Sequence, residues 1–125
     1  MKLRIRGNSV RMRLLKNEAA SLAESSRIAE TVSFGPTKKE ILTYAIQISE
    51  KASEVTAGFC ENEVCIILPQ TDARKWLESE QIGISAEVSN DETTLSILVE
   101  KDFVCLTRTD DPDNINAYPN PESDC

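Results

Sequence analysis

Sliding the chain along itself by 54 residues, without a gap, superimposes Asn8 on Asn62, Val10 on Val64, Leu14 on Leu68, Ala19 on Ala73, Glu24 on Glu78, Ser25 on Ser79 and Ile28 on Ile82. Self-similarity at a fixed period restricts the fold, because each half must be able to form the same unit. The local signals repeat with it. Asn17 falls on Thr71 and Glu18 on Asp72, both pairs reading as a helix N-cap followed by a first-turn acid. Leu22 lands on Trp76 and Ala23 on Leu77, the apolar faces of two short helices. In the first half, Leu3 and Ile5 alternate with Lys2, Arg4 and Arg6, and Val10, Met12 and Leu14 alternate with Arg11 and Arg13, the period-2 pattern of a half-buried hairpin. A helix over Glu18–Ser25 and strands over Ile28–Phe34 and Glu40–Ser49 follow, separated by the Gly35-Pro36 breaker. The second half reads as strands Val55–Cys60 and Val64–Leu68, helix Asp72–Glu80, and strands Ile82–Val88 and Thr93–Glu100, with an extra strand at Phe103–Thr107.

These elements predict an α+β domain: an antiparallel sheet curled or closed into a barrel, two short helices, and an internal duplication of a ββαββ unit. The globular domain is expected over residues 1–108, with halves of about 1–51 and 52–108, followed by an acidic, Pro- and Asn-rich tail at 109–125. The strand Val64–Leu68 is apolar on both faces, which predicts a cover on its outer side. Trp76 and Leu22 are expected to be equivalent core anchors.

Composition narrows the function. A chain of 125 residues that is 40% hydrophobic can bury one core without disulfides or metal. Its longest apolar stretches, Ile41–Ile46 and Val64–Leu68, fall far short of the ~20 residues that span a bilayer. The opening, Met1–Val10, alternates charge and apolar residues with no secretory h-region, so a cytoplasmic protein is expected. Histidine is absent, which removes Ser/His/Asp and Cys/His triads and zinc sites that mix nitrogen with sulfur. Gly7, Gly35, Gly58 and Gly83 stand too far apart for either standard phosphate loop. No catalytic residue, cofactor or metal is assigned.

The net charge of −7 is unevenly spread. Residues 1–16 hold six bases and no acid, whereas 109–125 hold five acids and no base. With a turn at Asn8-Ser9, the first hairpin sets Arg6 opposite Arg11 and Arg4 opposite Arg13. Like charges directly opposite are destabilising by several tenths of a kcal/mol, so Arg4, Arg6, Arg11 and Arg13 form a candidate anion-binding face. Its neighbours could be solvent and the chain's own acids (Glu30, Glu87, Glu100 or the tail), a small phosphorylated or carboxylated ligand, or an acidic protein segment, in cis or in a homodimer. The overall acidity, and the lack of aromatics among the arginines, argue against nucleic acid. The expected function is a non-enzymatic binding or interaction module.

Cys60 and Cys65 take the positions of Arg6 and Arg11 in the second half, and the same register sets them opposite each other, where a redox-switchable disulfide is conceivable. Buried structural thiols are the default, and a four-cysteine zinc site with Cys105 and Cys125 would need distant ligands to converge.

Two resemblances bear on these residues. The charged strands resemble in texture the triphosphate tunnel enzymes, whose inward Arg, Lys and Glu surround a polyphosphate and a metal. Their N-terminal Glu-x-Glu-x-Lys is replaced here by Lys2-Leu3-Arg4-Ile5-Arg6, so metal-holding carboxylates would have to come from elsewhere. That resemblance implies the alternative function, a phosphoanion-processing enzyme with an Arg/Glu-lined barrel. The opening MKLRIRGNSVRMRLLKNE, the later LVEKDFVCLTR and the Tyr118-Pro119-Asn120-Pro121 tail resemble a family of small bacterial proteins of unknown function. This similarity spans most of the chain and implies no activity and no catalytic residue.

Overall fold

The computed structural model describes residues 1–102. Strands β1 (Lys2–Arg6) and β2 (Ser9–Leu14) lead into helix α1 (Lys16–Ser25), then strands β3 (Arg27–Ser33) and β4 (Ile41–Ser49), with a 3-10 turn at Lys38–Glu40 between them. The order then recurs: β5 (Thr56–Cys60), β6 (Glu63–Pro69), α2 (Gln70–Leu77), β7 (Gly83–Asn90) and β8 (Thr93–Lys101). Neither helix is long and apolar enough to cross a membrane. The predicted strand at Phe103–Thr107 and the tail at 109–125 lie outside the described residues.

The strands form two four-stranded sheets, β1-β2-β8-β7 and β3-β4-β6-β5. Each hairpin is antiparallel, but β2 runs parallel to β8 and β4 parallel to β6, so both sheets are mixed. The fold is therefore α+β and mostly strand, as expected, without the closed barrel. Each sheet takes one hairpin from each half of the chain and joins them through their inner strands, which leaves β1, β7, β3 and β5 as edges among the described residues. The helices occupy the core that closure would have sealed. Leu22 from α1 and Ala73 and Trp76 from α2 join Met12 and Leu14 of β2, Ile46 of β4, Ile66 and Leu68 of β6, and Ile97 and Val99 of β8 in one buried cluster. Leu22 and Trp76 are thus both core anchors, and Trp76 Nε1 donates to the Ile82 carbonyl at 3.0 Å. The outer residues of β6, Cys65 and Ile67, are half-buried beside Ala45 and Gln47 of β4.

The helix starts differ from the expected caps. Leu15 and Pro69, rather than Asn17 and Thr71, occupy the N-cap positions, and neither helix has a hydroxyl or amide cap. The strands run straight into the helices, because β2 stays buried to its last residue, Leu14, and β6 through Leu68 to Pro69. The orphan N–H groups are handled in other ways. The Glu18 carboxylate accepts from the Leu15 N–H at 2.8 Å, whereas Pro69 has no N–H to satisfy. At its far end α1 closes on Ser26, in the left-handed region at φ 65°, whose N–H donates to the Leu22 carbonyl at 2.9 Å.

Glu18 has a second role that the sequence did not reveal. Its carboxylate pairs with the Met1 ammonium, which also lies 3.3 Å from Glu30. The Tyr44 hydroxyl donates to Glu30 at 2.9 Å. Burial raises the Glu18 pKa, but the hydrogen bonds from the ammonium and the Leu15 N–H outweigh it and hold the carboxyl below the usual range. Burial, then Glu30, push the Tyr44 hydroxyl up. A depressed carboxylate pKa contributes stability that is complete above the unfolded pKa and lost as pH falls through the folded one. Glu18→Ala is therefore expected to cost about 1–3 kcal/mol at neutral pH, the range for hydrogen bonds to a charged group. Between the wild type and this variant the difference should shrink on acidification below about pH 4, as read by urea denaturation. A difference independent of pH would remove the charge from this account.

Candidate anion-binding face

The first hairpin turns through Gly7-Asn8, not Asn8-Ser9. Gly7 sits at φ 54°, a conformation that costs a residue without Cβ little, and this pairs Arg6 with Ser9, Arg4 with Arg11 and Lys2 with Arg13. The expected Arg6–Arg11 and Arg4–Arg13 pairs are thus corrected by two residues. Because side chains alternate with period two, a two-residue shift leaves every cation on the same face. The like-charged contact survives with other partners, and Lys2 joins it. Further bonds seat the turn: Ser9 Oγ donates to the Arg6 carbonyl at 2.6 Å and Asn8 Nδ2 to the Thr94 carbonyl at 2.7 Å.

Parallel pairing with β8 sets Arg13 beside Glu100, Arg11 beside Leu98 and Ser9 beside Ser96. β7 continues the rows, with Gly83 beside Glu100, Ser85 beside Leu98 and Glu87 beside Ser96. The outer face of this sheet therefore grades from arginine on β1 and β2 to serine and glutamate on β7. At one end Arg13 Nε lies 2.6 Å and Arg11 Nε 3.8 Å from the same Glu100 oxygen, and Lys2 Nζ lies 3.0 Å from Asp102. Of the acids named from the sequence, Glu100 meets the arginines, Glu30 turns to Met1 and Tyr44, and Glu87 sits two strands away from β2. Arg4 and Arg6 are exposed at the sheet edge. Between the cationic and serine-rich sides lies an open depression of about 640 Å³, lined by Ser9, Arg11, Ser85, Glu87, Ser96 and Leu98. Guanidinium forks and hydroxyls of this kind can hold an oxyanion.

The second hairpin closes at Glu61-Asn62, both at positive φ, and pairs Cys60 with Glu63 and Gly58 with Cys65. The predicted Cys60–Cys65 pair is corrected by the same two residues. The two are diagonal neighbours, about 7–8 Å apart across a ladder, wider than a disulfide accepts without backbone movement. Both thiols are free. Burial pushes the Cys65 thiol up, against the Arg27 guanidinium 3.8 Å away, which is itself paired with Glu63 at 2.7 Å. Cys105 and Cys125 lie outside the described residues, among which no group of three or more potential metal ligands occurs.

No curated protein and no solved structure matches the chain. A family model described as a family of unknown function (DUF7009) matches residues 1–122, and the chain belongs to that family.

Proposed function

We propose that the outer face of the β1-β2-β8-β7 sheet recognises an anion, and that the chain works as a binding module rather than an enzyme. The observation that carries this reading is that the fold does not require the cations. β5, β6 and α2 begin 54 residues after β1, β2 and α1, an arrangement we read as a duplication. At the positions of Arg4, Arg6, Arg11 and Arg13 the second hairpin holds Gly58, Cys60, Cys65 and Ile67. The same hairpin is thus built without cations, and the first pays for like-charged neighbours that its architecture does not need. Glu100 and Asp102 gather at the Lys2–Arg13 end. Arg11 borders the depression, and Arg4 stands beside Arg11 across the ladder.

A compact oligoanion such as tripolyphosphate or citrate suits this geometry better than a nucleic-acid strand, given a net charge of −7 and no aromatic side chain among the arginines. The alternative of a phosphoanion-processing enzyme relied on a charged barrel interior, and two open sheets do not supply one. Two free thiols fit a reducing, cytoplasmic setting.

The test is a thermal-shift series with pyrophosphate, tripolyphosphate, citrate, nucleotides with and without Mg²⁺, and a short oligonucleotide. A ligand at a hundred times its Kd stabilises the folded state by about 2.7 kcal/mol, several degrees in Tm for a chain of this size. The rise is expected with a compact oligoanion and should vanish in Arg4→Ala/Arg11→Ala. If no anion raises Tm, the anion-recognition reading is wrong.

A further inference from the structure

Two edges of the molecule carry the same unusual feature. β1 and β5 stand at the ends of their sheets, and among the described residues no strand pairs with their outer sides. Each belongs to a hairpin whose two-residue turn closes on Arg6 with Ser9 or on Cys60 with Glu63. Ladder pairs alternate, so the amide and carbonyl groups of Leu3 and Ile5 on β1, and of Ala57 and Phe59 on β5, point away from the hairpin partner. The side chains of these residues share the core side of their sheets. Ile5 and Phe59, at equivalent positions of the two halves, are nevertheless 61% and 69% exposed. Each edge thus offers open backbone groups next to a large uncovered apolar side chain, the combination that another strand completes.

The charges decide which strand. Residues 1–16 carry six bases and no acid, whereas 52–68 carry Glu54, Glu61 and Glu63 and no base. Two β1 edges brought together would set arginine against arginine. A β1 edge meeting a β5 edge sets a cationic hairpin against an acidic one and covers Ile5 with Phe59. We infer that β1 of one copy pairs with β5 of a second copy, so that the partner of the cationic edge is this chain's own second hairpin. Such an interface is heterologous: each copy keeps one open β1 and one open β5, and the assembly grows into a ring or a filament instead of stopping at a two-fold dimer. In antiparallel pairing with Ile5 opposite Phe59, Arg4 lies beside Cys60 and the Glu61 turn comes next to Leu3, within reach of Lys2 and Arg4. Only the sign of the hairpin's charge is shared with the anion-recognition reading.

The full chain is followed by analytical ultracentrifugation over a wide concentration range at low salt, with no added oligoanion, as wild type, Ile5→Lys and Phe59→Glu. Both substitutions keep the charge sign of their hairpin and fall on exposed side chains, so Tm is expected to hold. The wild type should self-associate in a concentration-dependent way that added salt reverses, and each variant alone should be reduced to small species. Mixed one to one, the variants should form a complex of twice the monomer mass and nothing larger, because one supplies an intact β5 and the other an intact β1. A wild type that stays monomeric throughout overturns the inference, as do variants that each form a two-fold dimer alone. Association that begins only after Asp110, Asp111 and Asp113 are changed to Asn also overturns it, and identifies the chain's own acidic segment as the occupant of β1. None of these outcomes depends on whether tripolyphosphate raises Tm, so the two readings fail separately.

Discussion

Trp76→Ala is expected to lower stability by about 3–5 kcal/mol, the range for removing a large aromatic from a packed core. Trp76 is fully buried among residues of both sheets, so its loss opens a cavity that strands held by parallel pairing cannot readily collapse. A second cost follows from the hydrogen bond. The Ile82 carbonyl accepts from Trp76 Nε1 as well as from the Lys101 N–H at 3.0 Å, and without the indole it loses one of these two donors where α2 passes into β7. Against a total stability of about 5–15 kcal/mol for a domain of this size, the variant should be close to unfolding at 37 °C. Urea denaturation followed by far-UV circular dichroism measures this directly, since the only tryptophan has been removed as a fluorophore. Trp76→Phe keeps most of the volume but not the donor and is expected to fall about midway. A loss below about 1 kcal/mol for alanine would mean that α2 does not bridge the sheets.

Glu100→Lys should have the next largest effect, about 2–4 kcal/mol at low salt. The Glu100 side chain is 17% exposed and the Arg13 side chain 18%, which puts this pair between the surface pairs worth under about 1 kcal/mol and the buried ones whose disruption costs about 3–5. Reversal also leaves Arg11, Arg13 and the new lysine adjacent, while Asp102 stays paired with Lys2. Part of the loss is long-range repulsion, so it should shrink in ~1 M salt, where the screening length falls to about 3 Å. Glu100→Gln, which removes charge without reversing it, separates the lost pair from the added repulsion. If the face binds oligoanions, Glu100→Lys should bind tripolyphosphate more tightly than wild type at equal salt, even as the unliganded protein loses stability. A variant within about 0.5 kcal/mol of wild type at every salt concentration would show that the Arg13–Glu100 pair does not form in solution.

The elements were legible because their signals are local. Alternation in Leu3-Arg4-Ile5-Arg6 and Val10-Arg11-Met12-Arg13 identified β1, β2 and the face their cations share, and the strand and helix spans that fall within the described residues agree with the structure to within a few residues. The turn was misplaced by one residue, and the register with it by two, because Gly7-Asn8 and Asn8-Ser9 are both plausible tight turns, and only the positive φ of Gly7 distinguishes them. The helix caps were misread for a related reason. Asn17 and Thr71 carry cap chemistry, but β2 and β6 stay buried through Leu14 and Leu68 and deliver the chain into the helix before those residues are reached.

Sheet membership was not legible at all. Nothing in β2 or β8 marks them as parallel neighbours, since parallel pairing joins strands distant in sequence and depends on how α1 and α2 fill the core between them. The same non-local step selected Glu100 as the acid beside Arg13 and brought Glu18, Glu30 and Tyr44 around Met1. By itself the sequence determined which residues face inward, which are charged and, to within a residue or two, where the chain turns, because periodicity and turn chemistry act over a few neighbouring residues. Only the tertiary structure decided which hairpins share a sheet and which of the described strands lie at its edges, because those outcomes depend on packing between residues tens of positions apart.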